Sequence, residues 1–238
     1  SPDGSSLLFA GPATTCTAVC GLPHADRGVW RVRADGTGLR HLVTDEAVDP
    51  TWSPDARQIA FGSGQELVVA NADGTGMRSV YRLTDDVIRA PSFSPDGRRL
   101  AHLVYREGPD GGWDQMDVGI VGVDGRGPTT VLSRGRWAPT RSPQWSPDST
   151  MVAFADAAAS FAADVSGRRW TIGSTGPQDG SADYRADPTW SPDGKWIILG
   201  AVEQRFEKLR RLHVVRPDGS QLTQLNNGLL GETPHWRW

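Results

Sequence analysis

The feature that most constrains the fold of this chain is a recurring phrase. In its full form it consists of an aromatic residue, Ser-Pro-Asp, usually Gly, and a short apolar run. The Ser-Pro-Asp triplets begin at Ser1, Ser53, Ser94, Ser146 and Ser191. They are spaced by roughly 40 to 50 residues, a period typical of repeat architectures in which each unit packs against its neighbours. We therefore expect residues 1–238 to form a single repeat domain.

Each repeat carries a second turn between two apolar runs. Its clearest copies are the Asp-Gly turns that begin at Ala34, Ala72, Val123 and Pro217, and Val165 begins a related Ser-Gly turn. Asp-Gly between apolar runs predicts a β-hairpin, because Gly accepts a positive φ. Two hairpins per repeat make four short antiparallel strands, which we letter A to D in chain order. This pattern predicts an all-β fold, a β-propeller built from four-stranded antiparallel blades.

The two ends of the chain complement each other. The chain begins at an A–B turn, and residues 233–238 look like an A strand that lacks its turn. Pairing of that strand with the first B strand would close the ring and remove exposed sheet edges. We therefore predict five blades, with a six-bladed ring as the alternative if the chain is truncated. The first blade would be shared between 1–44 and 233–238, and the others would span 49–84, 90–133, 142–173 and 187–226.

The repeats resemble the WD40-like repeats of the TolB β-propeller family. The matching text is Pro-x-Trp/Phe-Ser-Pro-Asp-Gly, an apolar strand and Asn-x-Asp-Gly-Thr, and residues 67–84 carry the second half of the phrase most fully. Ala56 and Ser149 depart from the pattern, since they replace the turn Gly. The resemblance covers essentially the whole chain and implies the propeller fold. It implies less about function, because members of the family include interaction modules, accessory domains and some enzymes.

The distribution of charged and apolar residues bears on the classes of partner to expect, although the net charge alone excludes none. The net charge is −3 and the arginines are scattered, whereas a nucleic-acid binder shows a strong basic face. No apolar stretch is long enough to span a bilayer. We therefore expect no nucleic-acid partner, no membrane insertion and a monomer.

The two cysteines lie close together in an insertion rich in Thr, Ala, Gly and Pro. Cys16 and Cys20 are followed by His24, but a structural zinc site needs a fourth ligand. A local disulfide between Cys16 and Cys20 is the favoured interpretation, with free thiols and a metal site as alternatives. The resemblance also implies an exported protein, extracellular or periplasmic.

One face of the predicted ring is more variable than the other. The A–B and C–D turns reverse the chain at the same end of each blade and are short. The B–C and D–A connections emerge on the opposite face, which we call the long-loop face. Loops that vary on a regular scaffold usually carry recognition. The variable segments run from Gly11 to Gly28, from Arg106 to Gln115, from Ala155 to Asp164 and from Ser174 to Asp187.

Residues that precede the Pro of each A strand should surround the mouth of the central channel on this face. Asp49, Asp187 and Glu232 would bind a cation or a basic peptide group there, and Arg89 and Arg141 would bind a carboxylate. The alternative is that Asp before Pro merely suits the extended conformation required at that position. Loop aromatics are good contacts for a peptide or sugar, and a His on an inner strand faces the channel. The candidate ligand-binding set is Asp49, Arg89, Trp113, Arg141, Tyr184, Asp187 and His235.

Motifs of catalysis are missing from the sequence. It contains no G-x-S-x-G, H-E-x-x-H or P-loop phrase, so we assign no catalytic residue. The first hypothesis is a non-catalytic recognition module for a protein or peptide, with carbohydrate as a second ligand class. The rivals are an exported lyase or glycosidase that uses the acids at the channel mouth, and an accessory propeller of a larger exported or membrane protein.

No cofactor is expected. Calcium is the alternative, because Asp179, Asp183 and Asp187 cluster in one segment. Their spacing does not match an EF-hand loop.

Overall fold

The structure is a computed structural model that describes residues 1–11, 28–44, 46–107, 113–126, 129–136, 142–155, 159–174, 188–202 and 210–225. Within these ranges the chain forms nineteen β-strands, which assemble into five antiparallel sheets that we number in chain order. Sheet 1 contains β1 (Ser6–Ala10), β2 (Gly28–Arg33) and β3 (Arg40–Thr44). Sheet 2 contains β4 (Ala47–Trp52), β5 (Gln58–Ser63), β6 (Glu66–Asn71) and β7 (Arg78–Arg82).

The remaining three sheets follow in order along the chain. Sheet 3 contains β8 (Val87–Phe93), β9 (Arg99–Glu107), β10 (Trp113–Gly122) and β11 (Thr130–Arg136). Sheet 4 contains β12 (Gln144–Trp145), β13 (Met151–Ala155), β14 (Ala159–Asp164) and β15 (Arg169–Ser174). Sheet 5 contains β16 (Thr189–Trp190), β17 (Ile197–Val202), β18 (Arg210–Val215) and β19 (Thr223–Gln224).

Every sheet is an up-and-down meander. Strands pair in sequence order, so each is a run of hairpins without crossovers. Sheets 2 to 5 have four strands, and sheet 1 has three within the described ranges. The predicted all-β fold of four-stranded antiparallel sheets is confirmed. The A strands of sheets 2 to 5 are β4, β8, β12 and β16.

The Ser-Pro-Asp phrase forms a hydrogen-bonded turn between the A and B strands. In sheet 2, Ser53 Oγ donates to Asp55 Oδ1 over 2.6 Å and accepts the N–H of Gln58 over 2.9 Å. The same two bonds recur at Ser94, Ser146 and Ser191. The residue after Asp has a positive φ, and Ala56 (φ +57°) and Ser149 (φ +63°) adopt it without being glycine. The hydrogen bonds therefore impose the turn even where the glycine is replaced.

The A–B and C–D turns lie side by side. The N–H of Ala72 in the C–D turn of sheet 2 donates to the carbonyl of Arg57 in the A–B turn, over 2.9 Å. Val123 and Arg98 make the same bond in sheet 3, also over 2.9 Å. Both kinds of turn therefore occupy one face, as the sequence predicted, and we call it the short-turn face.

The aromatic residue of the repeat packs between neighbouring sheets. Trp145 is buried among side chains of sheets 3 and 4, and Trp190 among side chains of sheets 4 and 5. Each indole also donates its Nε1–H to the A strand of the preceding sheet. Trp145 bonds the carbonyl of Ser92 over 2.9 Å, and Trp190 bonds the carbonyl of Gln144 over 3.0 Å. One side chain thus supplies both apolar burial and a specific bond between sheets.

Trp52 occupies the same repeat position in sheet 2. It packs against the cluster that joins sheets 1 and 2. Its Nε1 is buried and has no hydrogen-bond partner within the described residues. Since the described part of sheet 1 lacks an A strand, the carbonyl that would accept this bond is missing from it.

Two expectations about the long-loop face are corrected. The segment Ala155–Asp164 is largely strand, because β14 starts at Ala159 and is buried against β13. Its small, apolar side chains fit a strand covered on both sides. Trp113 was expected on a loop, but it is the first residue of β10, and its backbone pairs with that of Glu107. The β9–β10 hairpin extends further than its turn-forming residues indicated, which leaves only residues 108–112 between the strands.

Candidate functional site

The beginnings of three A strands surround a cavity of about 660 Å³, which we call the A-strand cavity. It lies towards the ends of these strands that are remote from the Ser-Pro-Asp turns. The lining is mainly polar, with one carboxylate, one phenol and several hydroxyl and amide groups. The lining residues are Asp49, Pro50, Thr51, Ala90, Pro91, Ser92, Tyr105, Ser142 and Gln144.

The backbone at this cavity is bent in two adjacent sheets. Asp49 has φ +52° and Ala90 has φ +48°, which is the left-handed region that non-glycine residues seldom enter. The pairing register shifts at the same places, between Val48 and Thr51 and between Arg89 and Ser92. The alternative that Asp49 simply takes an extended conformation before Pro is therefore wrong. These bulges aim the residues before each Pro into the cavity.

A side chain of sheet 2 stabilises the bend in sheet 3. The N–H of Ala90 donates to Asp49 Oδ2 over 3.1 Å. The exposed carboxylate of Asp49 therefore satisfies a backbone donor that the bulge removes from the strand pairing. Residues kept in unfavourable backbone conformations cluster at binding sites, where the surrounding structure holds them in place.

Tyr105 is close enough to Asp49 and Arg89 for both charges to act on its phenol. It belongs to β9 and is half-buried in the wall of the A-strand cavity. Burial raises the pKa of its phenol, the Asp49 carboxylate raises it further, and the Arg89 guanidinium opposes both by lowering it. Asp49 and Arg89 therefore both act on the same hydroxyl group. Sequence analysis missed Tyr105, because it lies on a B strand far from the repeat phrase.

A second cavity of about 430 Å³ lies beside the first. We call it the Arg89 cavity, since Arg89 is its cationic member. Its walls come from three sheets and contain more apolar surface than those of the A-strand cavity. The lining residues are Ala10, Gly11, Gly28, Glu46, Ala47, Val48, Gly64, Val87 and Arg89.

An ion-pair network supports the wall that carries Tyr105. The next residue, Arg106, donates its Nε–H to Asp86 Oδ2 over 2.8 Å and places Nη2 2.9 Å from Asp117 Oδ2. The hydrogen bond with Asp86 contributes most to raising the pKa of Arg106. Asp86 precedes β8 and Asp117 lies on β10, so Arg106 ties the start of an A strand to the B and C strands of its sheet.

The sequence-predicted residues are described to different extents. Asp49 lines the A-strand cavity and Arg89 lines the Arg89 cavity. Only the backbone of Trp113 is described. The other predicted residues lie outside the described ranges. These are Arg141, Tyr184, Asp187 and His235, the cysteines Cys16 and Cys20, and the acids Asp179, Asp183 and Glu232.

Two searches of the described residues returned nothing. No group of three or more His, Cys, Asp or Glu side chains within the described ranges is arranged to hold a metal ion. The described ranges also contain no helix with the length and apolarity needed to cross a bilayer.

Comparison with known proteins identifies the family. The model of the TolB beta propeller domain matches residues 29–237. The chain belongs to the TolB β-propeller family. A TolB homolog of Chlorobium luteolum (strain DSM 273 / BCRC 81028 / 2530) is 30% identical over 111 residues, which make up 45% of this chain and 23% of that protein.

Solved structures resemble the whole fold. An oligogalacturonate lyase in complex with manganese matches with a TM-score of 0.69 at 17% identity, over 94% of this chain and 62% of that one. Prolyl endopeptidases match with a TM-score of 0.61 at 15% identity, over 96% of this chain and 34% of theirs. At these identities the likeness shows the fold alone. This TolB-family chain spans less than two thirds of the length of each of these proteins.

Proposed function

We propose that this TolB-family propeller is a non-catalytic recognition module that binds a protein or peptide on its long-loop face. The observation that carries the proposal is the A-strand cavity, formed by three successive repeats where their inner strands begin. Its volume of about 660 Å³ falls in the range of ligand pockets. It combines a carboxylate with hydroxyl and amide groups that pair with a peptide backbone.

Asp49 favours a ligand with a basic group. Its carboxylate is exposed and lines the cavity, and one oxygen is held by the Ala90 N–H. That bond orients the carboxylate before a ligand arrives, so less conformational entropy is lost on binding. A Lys or Arg side chain of the partner would bind there.

The similarity in fold to a lyase supports a second candidate function, that of an exported lyase. The oligogalacturonate lyase matches nearly all of this chain, and Asp49 with Tyr105 would supply acid and base groups in the A-strand cavity. Assay of the purified chain on oligogalacturonate, with and without manganese, distinguishes the two functions. Turnover that Asp49→Asn abolishes would favour the lyase.

The similarity in fold to prolyl endopeptidases supports the alternative that this chain is an accessory domain of a larger protein. In that case this chain would be the propeller of a larger exported or membrane protein, since it matches 34% of those chains. The TolB resemblance also supports an extracellular or periplasmic location, where Cys16 and Cys20 would form a disulfide.

We also propose a five-bladed ring in which residues 233–238 supply the missing A strand of sheet 1. Trp52 supports this arrangement. The equivalent indoles bond the carbonyls of Ser92 and Gln144, the residues that follow Pro in the neighbouring A strands. In the sequence Thr-Pro-His-Trp the equivalent residue is His235, so its carbonyl would accept the buried Trp52 N–H.

A peptide array tests the recognition function. Basic hexapeptides that bind the wild-type chain should bind Asp49→Asn at least tenfold more weakly, because a charge-assisted hydrogen bond contributes roughly 1.5 to 3 kcal/mol. Ser92→Tyr, which fills the A-strand cavity, should weaken the binding of every peptide that the wild-type chain binds.

The matched control is Arg98→Ala, whose exposed side chain lies on the short-turn face. Asp73 and Asp96 are unsuitable controls, because each holds its own turn through hydrogen bonds. If Arg98→Ala weakens binding while both cavity variants bind normally, the ligand occupies the other face and the proposal fails.

A further inference from the structure

The guanidinium of Arg89 lies in a confined place and is not paired with any of the described residues. Arg89 is half-buried in β8 and lines the Arg89 cavity. It acts on the phenol of Tyr105, but within the described residues its side chain has no hydrogen-bond or ion-pair partner. An Arg side chain presents five N–H donors in a planar fork that matches a carboxylate. By contrast, Arg106 of the neighbouring strand bonds two carboxylates.

The walls around Arg89 leave room for a ligand group. Three of the lining residues are glycines, and a Cβ built on Gly11 or Gly64 meets no atom within 4 Å. The carbonyl of Gly64 already accepts the Ile88 N–H over 2.9 Å, which fixes this wall against β8. The remaining lining is mostly small and apolar, and an ion pair is stronger in such surroundings than in open water.

The acidic member of the lining does not neutralise Arg89. Glu46 is exposed and has an interaction of its own. It makes no ion pair with Arg89, so the guanidinium stays available to a second carboxylate.

The two cavities receive side chains of opposite charge, Asp49 and Arg89, from neighbouring strands. In β4, Val48 faces the Arg89 cavity and Asp49 the A-strand cavity. In β8, Arg89 faces the Arg89 cavity and Ala90 the A-strand cavity. The bulges therefore direct Asp49 and Arg89 into different cavities, and both charges are close enough to act on Tyr105.

We infer that the Arg89 cavity is a carboxylate-binding subsite that takes an acidic side chain or the C-terminal carboxylate of the partner peptide. This inference rests on the proposed recognition function and deepens it. A partner segment with a basic group in the A-strand cavity and an acidic group in the Arg89 cavity would satisfy both sites. The pair would thereby select for the order of charges along the ligand.

A direct test uses N-acetylglutamate and N-acetylglutamine as probes, each with its α-carboxylate blocked as an amide. These differ only in the carboxylate, and binding is followed by NMR of the ¹⁵N-labelled full chain through the Arg89 Nε–H signal, assigned with Arg89→Gln. N-acetylglutamate should shift this signal and bind at least tenfold more tightly than N-acetylglutamine. Arg89→Lys should retain part of this preference, since it keeps the charge but loses the fork. Arg57 is an exposed arginine on the short-turn face, and Arg57→Gln should leave the preference for N-acetylglutamate unchanged.

A peptide array separates failure of this inference from failure of the proposed function. The array carries hexapeptide pairs that differ in Glu against Gln, or in a free against an amidated C-terminus. If peptides bind but Arg89→Gln keeps the wild-type preference for acids, the subsite is overturned and the recognition function stands. If N-acetylglutamate binds through Arg89 and no peptide binds, the subsite stands and peptide recognition is overturned. If neither probe disturbs the Arg89 signal, the subsite is overturned.

Discussion

Closure of the ring makes a quantitative prediction about Trp52. In a closed ring, residues 233–238 cover Trp52 and the His235 carbonyl accepts its indole N–H. A buried hydrogen bond contributes about 1 kcal/mol, and leaving the donor or acceptor unsatisfied costs roughly 1 to 3 kcal/mol. Trp52→Phe should therefore destabilise the full chain by at least about 1 kcal/mol. The same change should cost at least about 1 kcal/mol less in a chain that lacks residues 233–238, where only the packing of Trp52 against sheets 1 and 2 is lost.

A double-mutant cycle measures this coupling. Urea unfolding gives the free energy of unfolding for four proteins, the wild type and the chain without residues 233–238, each with and without Trp52→Phe. The matched control is Trp145→Phe, because its bond to the Ser92 carbonyl lies entirely within the described sheets. Its cost should be the same in both lengths of chain.

The reasoning is refuted if Trp52→Phe costs the same with and without residues 233–238, within about 0.5 kcal/mol. If the shortened chain fails to fold, hydrogen exchange of the indole N–H groups provides the same decision. In the closed ring, Trp52 should be as protected as Trp145. Fast exchange at Trp52 alone would show that the His235 carbonyl is not its acceptor.

Three further predictions concern His102, Ala56 and the two cysteines. Burial lowers the pKa of His102 to about 4, so as the pH falls from about 6.5 the unfolded chain takes up the proton before the folded chain does. The free energy of unfolding should therefore drop by about 3 kcal/mol between pH 6.5 and 4. His102→Leu should remove that part of the pH dependence measured by urea unfolding. Ala56→Gly should stabilise the chain by up to about 1 kcal/mol in thermal unfolding, because Ala56 has φ +57°, whereas no gain would show that the turn is unstrained. Cys16 and Cys20 should resist alkylation until a reductant is added, and intact mass showing two added alkyl groups without reductant would exclude the disulfide.

The repeat phrase was sufficient to predict the sheets because its chemistry is local. Ser53 and Asp55 bond within one turn, and the Gln58 N–H completes it, so the turn forms from residues adjacent in sequence. The alternating apolar strands and the Asp-Gly turns are local in the same way. This is why the four-stranded sheets and the shared face of the two turn types were predicted correctly.

Strand lengths were harder to predict than turns. The alanine-rich segment before Asp164 was treated as a variable connection and Trp113 as a loop residue, yet β14 takes up most of the first and β10 begins at the second. Small side chains have weak strand propensity, and burial between neighbouring sheets overrides it.

The sequence by itself determined that the chain is a β-propeller of the TolB type and that the residues before the recurring prolines belong together. Only the tertiary structure decided how they are used. It bent Asp49 and Ala90 into the left-handed region, joined them by a hydrogen bond between sheets, and assigned Asp49 and Arg89 to separate cavities. It also placed Tyr105, from another strand, close enough to both charges for each to act on the pKa of its phenol. The interactions of Asp49 with Ala90 and Tyr105 join residues 41 and 56 positions apart in sequence, which meet only when neighbouring repeats pack and which no local pattern encodes.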